Sequence, residues 1–211
     1  MLRMPRWINA VIPAAGRSRR MGTHKLLLEI DGETVISRLV RALDEACVSR
    51  IHILVRIDDH ALLDELEPLP VTVVTTETDT ADMKASVGAI LKAIQEQVIP
   101  DDLDAWLLMP ADHPVVDPQI VIRLIDAGEE DRTSIVVPTF ETRRGHPVLF
   151  PWKLAAAVQN IPADRGIDWL VSTEEANVVE VPVETDSIHW DLDTPEDVER
   201  LKKWLNSQRM Q

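Results

Sequence analysis

Short apolar runs alternating with segments of helical period constrain this chain more than any other feature. The runs occupy residues 7–12, 51–55, 71–75, 105–109, 134–137 and 178–181, each the length of a strand buried on both faces. Between them Val35, Ile36, Leu39, Val40 and Leu43 recur at a helical period, as do Val87, Ile90, Leu91 and Ile94, and then Ile120, Leu124 and Ile125. Strands separated by helices of this length predict an α/β fold: a Rossmann-like, three-layer, mostly parallel sheet with helices on both faces. The last helix has a legible start, with Thr194 as N-cap, Pro195 at the first helical position, and Glu196 and Asp197 against the positive helix end.

The 211 residues are 45% hydrophobic, enough for one sizeable core, and predict a single domain over 1–211. From Phe140 to Asp168 the alternation breaks into short pieces around Pro147, Pro151 and Pro162, which predicts a small lobe or lid over 140–168. With 22 basic residues against 36 acidic, the net charge of -14 repels a phosphate backbone and argues against a nucleic-acid partner. No apolar run approaches the roughly 20 residues that span a bilayer, and residues 1–6 lack the apolar stretch of a signal peptide, so a cytoplasmic protein without a membrane partner is expected. The lone Cys47 reads as a small buried hydrophobe, and the scattered tryptophans Trp7, Trp106, Trp152, Trp169, Trp190 and Trp204 as core packing.

Ligands in open α/β sheets bind beyond the carboxyl ends of the strands. The first such position reads Pro13-Ala14-Ala15-Gly16-Arg17-Ser18-Arg19-Arg20-Met21-Gly22-Thr23-His24-Lys25. Small residues let a ligand approach the backbone, and successive N–H groups in such a turn form an anion nest. Arg17, Arg19, Arg20 and Lys25 reverse the sign of an acidic chain locally, so the ligand should be polyanionic. The spacing fits neither a Walker A loop nor G-x-G-x-x-G. Taken alone, an ordinary basic surface loop accounts for these residues as well as a phosphate site does.

This stretch resembles the A-A-G-x-S-x-R-M-G-x-x-K signature of the MobA-like nucleotidyltransferases, which include molybdopterin cytidylyltransferases and guanylyltransferases; Ala14, Ala15, Gly16, Ser18, Arg20, Met21, Gly22 and Lys25 match in register. The resemblance implies a nucleotide-diphospho-sugar transferase-like sheet and a loop that wraps a triphosphate, with Arg17 and Arg19 alongside and with Lys25 and Arg20 offsetting phosphate charge. Ala-Ala-Gly rather than Ala-Gly-Gly leans toward CTP over GTP.

Further segments extend the resemblance. Ala111-Asp112-His113-Pro114 follows the fourth apolar run and is similar to the family's G-D-x-P, with Ala111 in place of glycine; the resemblance implies that Asp112 holds Mg²⁺ on the triphosphate. Mg²⁺ is commonly held by one or two carboxylates plus phosphates. Asp191-Leu192-Asp193-Thr194-Pro195-Glu196-Asp197 resembles D-[IL]-D-T-P-E-D, and in an extended chain Asp191 and Asp193 face one side, so either completes the metal site; Asp193 is the first choice. Asp82-Met83-Lys84-Ala85-Ser86 resembles a nucleotide-side helix start, implicating Met83 and Ser86, with Asp82 where relatives carry glycine. Arg144-Gly145-His146-Pro147-Val148-Leu149-Phe150 and Asp164-Arg165-Gly166 are similar to acceptor-side motifs of the cytidylyltransferase branch. There Arg144, Gly145, His146 and Arg165 are expected at a phosphorylated acceptor; for His146, a turn-fixing role fits equally.

The expectation is nucleotidyl transfer, CMP favoured, to a phosphorylated acceptor, with molybdopterin as the family's prior and a molybdoenzyme-maturation partner in view. Two other readings use the same residues: a glycosyltransferase holding a nucleotide sugar through Asp191-Leu192-Asp193, and a non-catalytic chaperone that only holds a cofactor.

Overall fold

The computed structural model describes residues 6–17, 24–174 and 177–208. Ser18, Arg19, Arg20 and Gly22 of the basic loop, and the match at Met21, lie outside them.

The central sheet is built from β1 (Ile8–Pro13), β4 (Arg50–Arg56), β5 (Thr72–Thr76), β6 (Ala105–Leu108), β7 (Ile135–Phe140), β9 (Val148–Pro151) and β10 (Val178–Pro182) in the order β10-β7-β9-β6-β1-β4-β5. β8 (Arg143–Arg144) pairs with β7, and β2 (Glu29–Ile30) with β3 (Glu33–Thr34) forms a separate hairpin. The sheet is mostly parallel: β1 pairs in parallel with β4 and β6, β4 with β5, and β7 with β10. β9 runs antiparallel between β6 and β7, and β8 pairs antiparallel with β7 off the main path.

Alternation along each strand feeds two cores. Ile8, Ala10 and Ile12 of β1 and Ala105 and Leu107 of β6 face one side, where α1 (Val35–Glu45), α2 (His60–Leu66) and α4 (Pro118–Glu130) pack. Val11, Trp106 and Leu108 face the other, covered by α3 (Met83–Val98) and α5 (Asp168–Thr173). Trp106 stacks on Phe150 of β9 at 4.1 Å. The three-layer α/β architecture expected from the apolar periodicity is therefore present. Leu201 of α6 (Pro195–Gln208) joins Ile30, Val35, Trp190 and Leu192 in a smaller third cluster. No helix among the described residues is long and apolar enough to cross a membrane.

Some expectations need correction. The first half of 140–168 supplies β8 and the fully buried β9 to the main sheet, so that part of the segment is core rather than a lobe. Beyond it, 3-10 turns at Trp152–Leu154 and Ala156–Asn160 lay Trp152 and Val158 on the α3 side. Cys47 is exposed, not buried. It takes φ +56° after α1, where its N–H reaches Asp44 O at 2.9 Å and that of Val48 reaches Leu43 O at 3.1 Å. This is a Schellman helix end with cysteine at the usual glycine position. Trp7 is 46% exposed, with the Arg50 guanidinium over its ring at 4.2 Å, and packs in neither core.

Candidate active site

Chemistry-bearing residues collect where the parallel strands end. Past β1 the chain stays tied down: Ala14 N–H donates to Leu54 O at 3.0 Å, and Arg56 Nη1 donates to Ala15 O at 3.1 Å. A Cβ built at Gly16 would meet nothing within 4 Å among the described residues, so none of these blocks close approach there. Arg17 turns to acids at the ends of β4 and β5, donating to Asp79 at 2.7 Å and lying 3.6 Å from Asp58; Asp79 holds its guanidinium pKa above the usual value.

Lys25 opens a short 3-10 turn, Lys25–Leu27. Its Nζ donates to Asp112 Oδ2 at 2.5 Å and to Asp193 Oδ1 at 3.2 Å. Burial works against the ammonium, yet the two carboxylates raise its pKa above that of a free lysine. The carboxylates come from distant segments that are stitched together, since Leu192 N–H donates to Asp112 O at 3.0 Å. Leu192 is buried, while Asp191 on one side of it meets His113 and Asp193 on the other meets Lys25. Asp197 locks this run from within α6, its carboxylate accepting from Asp193 N–H at 3.1 Å and Thr194 N–H at 2.8 Å, while Asp197 N–H donates to Thr194 Oγ1 at 3.3 Å. That is a capping box, a more specific role than a dipole partner.

His113, quoted in the sequence only as a neighbour of Asp112, is 2% exposed. Its Nε2 lies 3.2 Å from Ile188 O and its Nδ1 3.1 Å from Asp191 Oδ1. This imidazole holds the Asp191 carboxyl below the usual carboxylate range. The donor atoms of Asp112, His113 and Asp191 all lie within 4.8 Å of one another.

Beside this cluster opens a pocket of about 540 Å³. Leu108, Val137, Val148, Phe150 and Ile167 give it apolar walls, and Arg143, Arg144 and His189 stand among its polar lining. Gly145 is required: a Cβ there would sit 2.5 Å from Ile188 O. His146, joined to Pro147 by a cis peptide, packs edge-on against His113 at 5.7 Å; burial pushes its pKa down to about 4 and keeps it neutral. Its backbone N–H donates to Ile188 O, so it both shapes the turn and lines the pocket.

Other expected residues fall at different distances from this centre. Met83 lines the pocket from the start of α3. Ser86 is buried, with its hydroxyl bonded to Thr80 Oγ1 at 2.7 Å, within the first turn of that helix. Asp82 caps α3 by accepting from Ala85 N–H at 2.8 Å. Arg144 pairs with Glu180 at 2.8 Å, and the Arg165 side chain stays exposed beside Asp164, apart from the pocket lining. Sequence reasoning missed His113, Arg56, Asp79 and Lys84, whose Nζ donates to Pro162 O at 2.8 Å and Arg165 O at 3.1 Å. A signal existed only for His113, through its adjacency to Asp112.

Known proteins share this fold. Rv0371c from Mycobacterium tuberculosis H37Rv is 26% identical, with 95% of this chain and 100% of that one covered at a TM-score of 0.76. A second structure of it, in complex with manganese, aligns over 93% and 98% at 26% identity and 0.75. A nucleotidyl transferase from Methanothermobacter thermautotroptrophicus matches at 22% identity, 96% and 99% coverage and a TM-score of 0.79. CMP:2-keto-3-deoxy-manno-octonic acid synthetase, in complex with CTP, matches at 15%, 96% and 99%, and 0.70. The last two speak for the fold alone. The model of the MobA-like NTP transferase domain matches residues 10–178. With a match over most of its length, and with the loop after β1, Asp112 and the 191–197 run gathered at one end of the sheet, the chain belongs to the MobA-like NTP transferase family.

Proposed function

We propose that the protein is a divalent-metal-dependent nucleotidyltransferase that moves a nucleoside monophosphate, CMP in preference to GMP, from its triphosphate to a phosphorylated acceptor and releases pyrophosphate. The observation that carries this reading is Lys25 Nζ held between Asp112 and Asp193, because two facing carboxylates already gathered around a cation suit a metal bridging to phosphate. The carboxylates of Asp112 and Asp193, which share the Lys25 ammonium, would hold Mg²⁺ as oxygen ligands, and Asp191 stands beside Asp112. Bound there, the metal supplies charge neutralisation on the triphosphate.

The residues then divide the work. As the triphosphate arrives, Lys25 exchanges its carboxylate partners for phosphate oxygens and stabilises charge on the departing pyrophosphate, with Arg20 assigned the same task. The backbone of 14–16, with Ser18, Arg19 and Gly22 following, cradles the phosphates, and Arg17 trades Asp79 and Asp58 for the same ligand. Met83 and Ser86 sit on the nucleotide side at α3. An acceptor with an apolar body fits the walled pocket, and Arg143 and Arg144 suit its anionic end. A phosphorylated acceptor brings an ionised oxygen, so positioning in line with the α-phosphorus replaces a protein nucleophile.

CTP is favoured by Ala14-Ala15-Gly16. Manganese in the complex of Rv0371c supports a divalent cation. Molybdopterin, a flat pterin with a terminal phosphate, is the acceptor to try first, in the cytoplasm and with a molybdoenzyme as the partner downstream. The test is a matrix of CTP, GTP, ATP and UTP with Mg²⁺ against phosphorylated acceptors including molybdopterin. Pyrophosphate release with CTP fastest is expected; release of a nucleoside diphosphate from a nucleotide sugar instead would establish glycosyl transfer.

A further inference from the structure

Lys84 stands where an ammonium is electrostatically out of place. It is the second residue of α3, at the helix end whose positive field disfavours a cation. What compensates is the turn at 162–165. There Lys84 Nζ donates to Pro162 O at 2.8 Å, Arg165 O at 3.1 Å and Ala163 O at 3.5 Å, one carbonyl for each of its three protons, with Asp82 Oδ2 3.9 Å away. The Lys84 side chain is only 15% exposed, so these charge-assisted bonds are shielded from water. Arg165 N–H closes the turn on Pro162 O at 3.0 Å. Ile161 and Ile167 are buried in the α3-side core, but the five residues between them are exposed, and Lys84 is what ties this stretch to the helix. Gly166, Ile167 and Asp168 follow the turn directly and, with Val171 and Ser172 of α5, line the pocket. Met83, the residue before Lys84, lines it as well.

We propose that Lys84 is a positioning residue for transfer: it clamps the pocket wall at 166–172 to the start of α3 and so fixes where the acceptor lies relative to the nucleotide. The inference rests on the nucleotidyl-transfer reading, which places the nucleotide at the start of α3 and the acceptor in this pocket. Lys84 touches neither substrate, because its three protons are spent on the turn. Its effect is geometric. In-line attack tolerates little misplacement, a shift of about 1 Å costing up to about a hundredfold in rate, and a wall released from α3 moves the acceptor without moving the triphosphate.

The test compares the full native chain with Lys84→Met and Lys84→Arg by amide hydrogen exchange, and then by pyrophosphate release from CTP with Mg²⁺ and molybdopterin. In Lys84→Met the amides of Trp169 and Leu170, which bond back to Gly166 O and Ile167 O, are expected to exchange at least about tenfold faster, with the strands unchanged. The acceptor KM should rise about tenfold at an unchanged KM for CTP. Lys84→Arg, whose guanidinium also serves several carbonyls, should restore both. If Lys84→Met does not fold, Lys84→Gln takes its place with the same expectations. Unchanged exchange at Trp169 and Leu170, or an unmoved acceptor KM, would overturn the proposal. So would a raised KM for CTP alone, which would put the Lys84 ammonium on phosphate. Faster exchange in Lys84→Met without pyrophosphate release by the native chain would leave the clamp standing and remove the nucleotidyl-transfer reading; release with an unmoved acceptor KM would do the reverse.

Discussion

Lys25 shows how a single side chain can hold a site together before its ligand arrives. It satisfies two carboxylates that would otherwise repel one another, and the same charge is what a triphosphate requires. Lys25→Ala is therefore expected to weaken CTP binding by about tenfold or more in calorimetry, a charge-assisted contact being worth roughly 1.5–3 kcal/mol; unchanged affinity would remove the loop from the nucleotide site. Gly145 tests the pocket instead. Gly145→Ala drives a Cβ into Ile188 O, and a lowered melting temperature together with weakened acceptor binding is expected. Cys47→Gly, by contrast, relieves a left-handed residue at a helix end and should stabilise the protein by about 0.5–1 kcal/mol in urea unfolding. That site illustrates a limit of reading residues singly: Cys47 looks like a core residue by type, and only the hydrogen bonds of Cys47 and Val48 back into α1 expose it.

At the scale of elements, the segment before α6 matters most. Asp193 is held by a backbone bond to Asp197, so the helix cap and the site share one acid. Asp197→Ala should cost about 1 kcal/mol of stability, and it should also reduce turnover because the 191–193 run loses its anchor; that same cost with undiminished turnover would separate the two roles. The start of α6 was legible because Thr194, Pro195 and an acidic first turn are strong local signals. The parallel strands were legible for the same reason, as apolar runs with helices between them. β9 was not: a buried antiparallel run and a buried parallel one look alike, and Pro147 and Pro151 at its ends suggested loop. α2 is too short to show a period, although Asp59 caps it. The β2–β3 hairpin did carry a signal, Asp31-Gly32 at φ 58° and 80°, in a two-residue turn that wants those residues.

For the whole molecule, the topology decides which distant residues meet. Asp112 and Lys25 were each readable as candidates, but their contact, and that of His113 with Asp191, exists only because β6 lies beside β1 and the chain after β10 returns over both ends. The same packing buries His52 of β4, 1% exposed and without a partner for either ring nitrogen. Burial, with Arg50 nearby, pushes its pKa down to about 4 from the ordinary 6.5. Since the unfolded chain takes up the proton first, stability should be full above pH 6.5 and fall as the pH drops toward 4, by on the order of 3 kcal/mol. Chemical unfolding of His52→Leu across that window should show a flatter acid limb than the native chain. The central claim, that the carboxyl end of the sheet performs metal-dependent attack on a nucleoside triphosphate, is tested most directly by pyrophosphate release from CTP in the native chain and in Asp112→Asn. Acceptor-dependent release in the native chain, reduced at least about a hundredfold in the folded variant, is the expected result; equal release by both would contradict the account.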